Sequence, residues 1–264
     1  MVDVLFLGTG DAFSAGTRGN LALVIEAPGF RTLVEAGPLV VERLAQAGLA
    51  LDQIEHLFVS HAHGDHCLGF PMLALGRLRS PHPLHVYAAS STCDALEALC
   101  AISYAGFGLQ HRNLVFHRLS DERADRCAPA DGVMLRTAVV RHPPAVPTLA
   151  ARWDFETGIS VTFVTDTVPN HTSVRLARDS TLLIHEATYS TRLEPALDPA
   201  PQYHSTARQA GELARAAGCQ ALALVHLGVQ GSAQPEVLIE EARDGSDLRV
   251  VVPRDGERLT LEGS

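Results

Sequence analysis

The segment at residues 60–66 reads Ser-His-Ala-His-Gly-Asp-His and directly follows an apolar stretch at residues 54–59. Imidazole is the commonest protein ligand for zinc and similar metals, and a carboxylate adds anionic charge. His61 and His63 project to the same side of an extended backbone, whereas Asp65 and His66 come from the turn beyond. Because four such groups can hardly all face one ion, the pattern predicts two adjacent metal ions at the end of a strand.

Three more candidate ligands stand where apolar strands end. His142 follows residues 135–141, Asp166 follows residues 159–165, and His226 follows residues 221–225. A residue of this kind, taken singly, is more often a surface residue or a satisfied core residue. Together with the first motif they form a consistent set, because strand ends on one edge of a sheet converge in space.

Short apolar runs alternate with helical patterns along the whole chain. Strands are predicted at residues 2–7, 22–26, 32–35, 56–60, 84–87, 114–118, 133–140, 159–165, 181–186, 221–226, 250–253 and 258–261. Helices are predicted at residues 38–47, 71–78, 92–102, 206–217 and 235–242. Many strands with few helices indicate two sheets covered by helices. The composition never shifts enough to mark a boundary, so we expect a single domain over residues 1–264.

The charge balance argues against a polynucleotide partner without excluding one. The chain has 21 basic and 30 acidic residues, a net charge of −9, so no global basic field recruits nucleic acid. A local basic patch remains an alternative, because six arginines cluster in sequence: Arg77, Arg79, Arg112, Arg118, Arg123 and Arg126.

The cysteines and the apolar runs bear on the compartment. The five cysteines are odd in number and form no Cys-X-X-Cys pair, which fits a reducing compartment. For Cys67, which follows His66, we expect a small buried apolar role. No apolar run reaches the roughly 18 residues of a membrane span, and the start lacks a basic leader region. We therefore expect a cytoplasmic protein with no membrane partner.

These residues together resemble the metallo-β-lactamase fold superfamily. The resemblance rests on His-Ala-His-Gly-Asp-His, His142, Asp166 within residues 163–167 and His226, with Gly-Thr-Gly-Asp at 8–11 and Val-Pro-Arg-Asp-Gly at 252–256. It runs over nearly the whole chain and implies an α/β fold, a four-layer αβ/βα sandwich with the metals at one edge.

The resemblance also implies which residues hold which ion. His61, His63 and His142 would hold the first ion, Asp65, His66 and His226 the second, and Asp166 would bridge both. Asp65 would in addition orient the attacking hydroxide. The cofactor expectation is two divalent ions, with zinc favoured by the histidine-rich set and manganese or iron as alternatives.

A further motif resembles the ribonuclease Z branch and its phosphodiesterase relatives. It consists of Ile-His-Glu-Ala-Thr-Tyr at residues 184–189 and Tyr-His-Ser-Thr-Ala at residues 203–207. In that branch a Glu and a His form a hydrogen-bonded proton donor, and the matching residues here are Glu186 and His204. A carboxylate orients an imidazole and raises its pKa, so that it can protonate a leaving alkoxide. Proteins of this branch commonly form homodimers, which the resemblance implies here.

Two departures from the pattern of that branch change the predicted substrate. Only residues 143–165 separate His142 from Asp166, and they contain a strand, so the long arm that grips tRNA cannot fit. Glu35 also stands where such proteins usually have Asp. With the acidic charge, this favours a dinuclear phosphodiesterase acting on a small or nucleotide phosphodiester, such as a cyclic nucleotide. The alternatives are a tRNA 3′ endonuclease, a lactone, thioester or sulfate ester hydrolase, and a non-enzymatic binding protein.

The remaining features receive structural interpretations. Two proline-rich segments, residues 141–147 and 194–201, are predicted to be loops at the rim of the site. The turn at residues 8–10 is expected to be a tight turn beside the site. Seven histidines match no position of the motif and are predicted not to be ligands: His56, His82, His85, His111, His117, His171 and His185.

Overall fold

The computed structural model describes residues 1–106, 108 and 113–263. The strands are β1 (Val2–Gly8), β2 (Ala22–Ala27), β3 (Phe30–Val34), β4 (His56–Phe58), β5 (Leu84–Ala89), β6 (Leu114–Leu119), β7 (Asp125–Ala130), β8 (Val133–Val140), β9 (Thr148–Phe155), β10 (Ser160–Val164), β11 (Leu182–Glu186), β12 (Ala221–Val225), β13 (Arg249–Val251) and β14 (Arg258–Leu261). The helices are α1 (Val40–Gln46), α2 (Gly64–Cys67), α3 (Phe70–Gly76), α4 (Ser90–Ser103), α5 (His171–Leu176), α6 (Ala207–Ala217), α7 (Val229–Ala233) and α8 (Pro235–Arg243).

The strands form two seven-stranded sheets that face each other. The first has the order β14-β1-β2-β3-β4-β5-β6 and the second the order β13-β12-β11-β10-β9-β8-β7. Alternate apolar residues of both sheets point inwards and build the central core, where Phe58 meets Trp153 edge to face with ring centroids 5.6 Å apart. This is the packing expected of strands with one face on a shared core.

Helices cover the outer face of each sheet. Residues of α1, α3 and α4 pack on the first sheet, and residues of α6 and α8 pack on the second. Helix α6 begins at a capping box formed by Thr206 and Gln209 and ends at Gly218, whose φ of 68° is left-handed. The four-layer αβ/βα sandwich implied by the resemblance is therefore confirmed.

One edge of the sandwich collects the carboxyl ends of several strands. Strands β10, β11 and β12 run parallel, and β8 points the same way because β9 is antiparallel to both β8 and β10. In the first sheet, β3, β4 and β5 are likewise parallel. The residues that directly follow these strands therefore meet at this edge.

The sequence predicts twelve of the strands and five of the helices, but it omits short or irregular elements. Strands β7 and β9 and helices α2, α5 and α7 were not predicted. The predicted loop at residues 141–147 is a loop, and β9 begins directly after it. His111 and Arg112 lie outside the described residues. Within the described part of the chain, no helix is both long and apolar enough to cross a membrane.

Candidate metal and acid–base site

The first ligand cluster joins the end of β4 to the loops after β8 and β10. His63 Nδ1 lies 3.0 Å from His61 Nε2 and 3.1 Å from His142 Nε2. The Asp166 carboxylate completes the cluster, with Oδ2 3.7 Å from His61 Nε2 and 3.9 Å from His142 Nε2. Ligands bound tetrahedrally at about 2.0–2.1 Å are roughly 3.3 Å apart, so this spacing suits one ion.

The second cluster lies on the other side of Asp166. His66 Nε2 is 3.0 Å from Asp65 Oδ2 and 3.4 Å from Asp166 Oδ2. His226 Nε2 is 3.3 Å from Asp65 Oδ2 and 3.5 Å from Asp166 Oδ1. Asp166 thus belongs to both clusters, which is the geometry required of a bridging ligand. All seven predicted ligands are brought together.

The backbone at the strand ends turns these side chains into the site. Asp166, His226 and Glu35 each follow a strand and have positive φ values of 40°, 55° and 67°. Non-glycine residues in this region are strained, and such strain is concentrated at functional sites. The turn at Gly8 and Gly10 lies beside the site as expected, because the carbonyl of Thr9 accepts the N–H of Leu227, the residue after His226.

The chemistry of the donor set fits divalent metal ions. His66 is fully buried, yet neither ring nitrogen has a hydrogen bond to a described residue. Burial lowers the pKa of His142 to about 4 despite the nearby Asp166 carboxylate, and it lowers the pKa of His61 further. A metal ligand must be a neutral imidazole, so these two rings are prepared to bind an ion. At His66 and His226 burial also lowers the pKa, but nearby carboxylates including Asp166 raise it above the usual value, so an ion that binds there displaces a proton.

Four of the five candidate histidine ligands have a polar group facing the other ring nitrogen, as bound imidazoles commonly do. The hydroxyl of Ser60 lies 2.8 Å from His61 Nδ1, and the carbonyl oxygen of Tyr203 lies 3.3 Å from His142 Nδ1. The Glu35 carboxylate lies 3.5 Å from His66 Nδ1, and Thr188 Oγ1 lies 3.0 Å from His226 Nδ1. None of these four residues is a predicted site residue, although Thr188 and Tyr203 lie inside the motifs at residues 184–189 and 203–207.

Glu186 and His204 form the expected pair beside the second cluster. Glu186 Oε1 is 3.1 Å from His204 Nδ1 and also accepts the backbone N–H of Thr167 at 2.9 Å. The Thr188 hydroxyl donates to Glu186 Oε2 at 2.6 Å. Burial disfavours the imidazolium and so lowers the pKa of His204. The negative charge and the hydrogen bond of Glu186 act in the opposite direction, and this pKa rises to about 9. The His204 ring stacks on that of His226, with centroids 5.4 Å apart.

Glu186, His204 and His226 are also close enough together to hold an ion. Glu186 and His204 are already joined by a hydrogen bond, however, and His226 Nε2 is turned towards Asp65. We therefore interpret Glu186 and His204 as an acid–base pair.

The other features lie around or away from the clusters. His56, His85 and His117 form a row of stacked rings across β4, β5 and β6. His185 is buried and points its Nδ1 at the carbonyl of Glu186, 2.7 Å away. Cys67 is buried, and burial raises the pKa of its thiol to about 11.

The chain is similar to proteins of known families. A family model described as anti-Pycsar protein Apyc1 matches residues 2–196. A ribonuclease Z of Halorubrum lacusprofundi is 30% identical over 98% of this chain and 96% of its own.

Among solved structures, YhfI of Bacillus subtilis, a metallo-β-lactamase fold protein, has a TM-score of 0.82 at 18% identity, covering 98% of both chains. The short form of human tRNase Z has a TM-score of 0.77 at 22% identity, again covering 98% of both chains.

Proposed function

This chain belongs to the anti-Pycsar Apyc1 family, in the ribonuclease Z-like branch of the metallo-β-lactamase fold, and we propose on that premise that it is a dinuclear phosphodiesterase. It is a metal-dependent hydrolase; the proposal concerns the number of ions, the residue roles and the substrate. The substrate we propose is a small or nucleotide phosphodiester, such as a cyclic nucleotide. We propose zinc as the metal, a single hydrolase domain and a homodimer.

The observation that carries the proposal is the position of His204 beside the ligand clusters. Its Nδ1 is engaged by the Glu186 carboxylate 3.1 Å away, which leaves Nε2 to deliver a proton. A phosphodiester has an alkoxide leaving group that needs this proton, and a pKa of about 9 keeps the imidazole protonated at neutral pH.

The metal ligands and the acid have separate tasks. Two ions held by the clusters at Asp166 would supply an activated water and Lewis-acid charge. Asp65 projects one carboxylate oxygen between His66 and His226, 3.0 and 3.3 Å from their nitrogens, where it can accept a hydrogen bond from the attacking water and orient it. His204 protonates the leaving oxygen, and Glu186 holds the imidazolium in place.

The preference for a small substrate follows from what connects His142 to Asp166. The loop after β8 leads directly into β9 and β10, which belong to the second sheet, and no segment is left over for an arm. The net charge of −9 also gives no general attraction for a polynucleotide.

Turnover of bis(p-nitrophenyl) phosphate tests the proposal. Protein with two measured equivalents of metal should hydrolyse it, and Asp166→Ala should not. The proposal fails if the fully metal-loaded protein shows no turnover while it hydrolyses a lactone, a thioester or a sulfate ester.

The second candidate is a tRNA 3′ endonuclease, favoured by the 30% identity to a ribonuclease Z over nearly the whole chain. It predicts cleavage of a precursor tRNA at the discriminator, with an affinity that falls steeply as salt rises. Cleavage at that position by the same preparation, without hydrolysis of small phosphodiesters, would favour this candidate.

A further inference from the structure

A surface cavity lies on the outer side of the second sheet, between its edge and helix α5. Its volume is about 610 Å³, and three separate segments line it: residues 123–126, residues 136–138 and part of α5. Each segment contributes at least one arginine, so four guanidinium groups surround the cavity: Arg123, Arg126, Arg136 and Arg175. Two of these arginines belong to the basic cluster that the sequence shows.

Most of this positive charge is not neutralised within the described residues. Arg136 pairs with Asp154 at 2.5 Å, but the guanidinium groups of Arg123 and Arg126 have no hydrogen bond or ion pair there. Arg175 reaches only the hydroxyl of Thr172, at 3.3 Å. The lining contains one carboxylate, that of Asp125. All four arginines are exposed to solvent. In a chain with net charge −9, three of them without a carboxylate partner at one cavity favour an anionic ligand.

We propose that this cavity binds a small ligand carrying two or more linked phosphates. The planar guanidinium group matches phosphate oxygens through paired hydrogen bonds, and the three that have no carboxylate partner exceed what one phosphate needs. The volume lies within the range of roughly 300–1,000 Å³ that is usual for small-molecule sites. The cavity takes no part in the proposed phosphodiesterase chemistry.

Strand β8 relates the cavity to the metal ligands. Ala138 lines the cavity, and His142 follows four residues later at the end of the same strand. At about 3.3 Å per residue the two are roughly 13 Å apart along the chain. Ala138 and the metal ligand candidate His142 are therefore separated by the end of β8.

Calorimetric titration with inorganic pyrophosphate tests the site. The double variant Arg123→Gln/Arg126→Gln should weaken binding at least about tenfold, since each lost guanidinium removes a charge-assisted contact. The matched control Arg79→Gln/Arg249→Gln removes two exposed arginines elsewhere and should change the affinity less than about twofold. The titration is repeated in Asp166→Asn, which damages the ligand clusters but leaves the cavity intact.

Pyrophosphate binding that persists in Asp166→Asn and is lost in the arginine double variant supports the proposal. Equal binding by the double variant and its control overturns it, as does binding that disappears in Asp166→Asn. A single-stranded oligonucleotide is titrated in parallel. If only the oligonucleotide binds through these arginines, the cavity is a polynucleotide contact and the proposal of a small ligand is wrong.

Discussion

The carboxylate of Glu186 holds Nδ1 of His204 at 3.1 Å, at a point where the His204 ring already stacks on that of His226. One imidazole thus contacts both the carboxylate that charges it and a residue of the second ligand cluster. The proposed acid His204 is therefore in direct contact with the second ligand cluster.

Replacement of His204 by Ala should lower kcat by about 10²–10⁴-fold, because the proton for the leaving oxygen is lost. The loss should be larger for an alkyl ester than for a p-nitrophenyl ester, whose leaving group needs little protonation. Steady-state kinetics with both substrates measure this, with His82→Ala as the control. An equal loss for both esters would remove His204 from the role of acid.

Replacement of Asp166 by Ala should lower the bound metal at both clusters, because its carboxylate oxygens lie within 3.4–3.9 Å of nitrogens in each of them. We expect the metal content to fall from two equivalents per chain to below one. Elemental analysis after dialysis measures it, and Asp52→Ala, an exposed carboxylate change, should keep both ions. Loss of a single equivalent would contradict a bridging role.

Replacement of Thr188 by Val keeps the shape of the side chain but removes the hydroxyl between Glu186 and His226. We expect kcat to fall about tenfold or more while KM changes little, as for other residues that orient metal ligands. Thr157→Val, at an exposed position, is the matched control. Unchanged kcat in Thr188→Val would show that this hydroxyl does not position Glu186 and His226.

Replacement of Gly211 by Ala should destabilise the fold although Ala favours helices. A Cβ at this position would collide with the backbone carbonyl of Ala242, where α6 crosses α8. Overpacking of this kind costs about 1–3 kcal/mol. Denaturant unfolding measures it, with Glu212→Ala, an exposed change on the same helix, as the control. A variant as stable as the wild type would contradict the close approach of the helices.

The stability of the protein should depend on pH through His56. Burial, with the neighbouring His85 and His117, lowers the pKa of His56 to about 4, below the usual 6.5. Between these values the unfolded chain takes up a proton that the folded chain does not, so the free energy of unfolding falls as the pH falls. We expect about 1–2 kcal/mol, after allowance for solvent screening of a partly open ring.

Unfolding measured from pH 7 to pH 4 checks this. The variant His56→Gln should show a flatter profile across the window, whereas His82→Gln should keep the profile of the wild type. Identical profiles for all three proteins would mean that His56 is not held neutral.

The sequence predicted that the ligands converge because His61, His142, Asp166 and His226 each follow an apolar run that forms a strand. The division of the ligands between two ions came from the resemblance to the metallo-β-lactamase fold superfamily. The sequence did not predict Ser60, Thr188 or Tyr203 as partners of the ligands. Those contacts depend on how loops from different strands meet, and Tyr203 acts through its carbonyl, which carries no signature of residue type.

The strands and helices that the sequence did not predict were also missed for physical reasons. Strand β7 lies at the edge of its sheet and contains Pro129, which argues against a strand in the sequence. Strand β9 has an alternating pattern, with Trp153 and Phe155 on the core, but it follows a proline-rich loop directly. Helix α5 is six residues long and begins at an Asn170 cap that only the structure reveals.

A direct comparison of substrates tests the central claim most sharply. One preparation with two measured equivalents of metal is assayed for kcat/KM on a cyclic mononucleotide and on a precursor tRNA at the same salt concentration. We predict hydrolysis of the cyclic nucleotide with a kcat/KM at least about a hundredfold above that for the tRNA, a difference of about 2.7 kcal/mol in transition-state stabilisation. Efficient cleavage of the tRNA with no hydrolysis of the cyclic nucleotide would contradict the account.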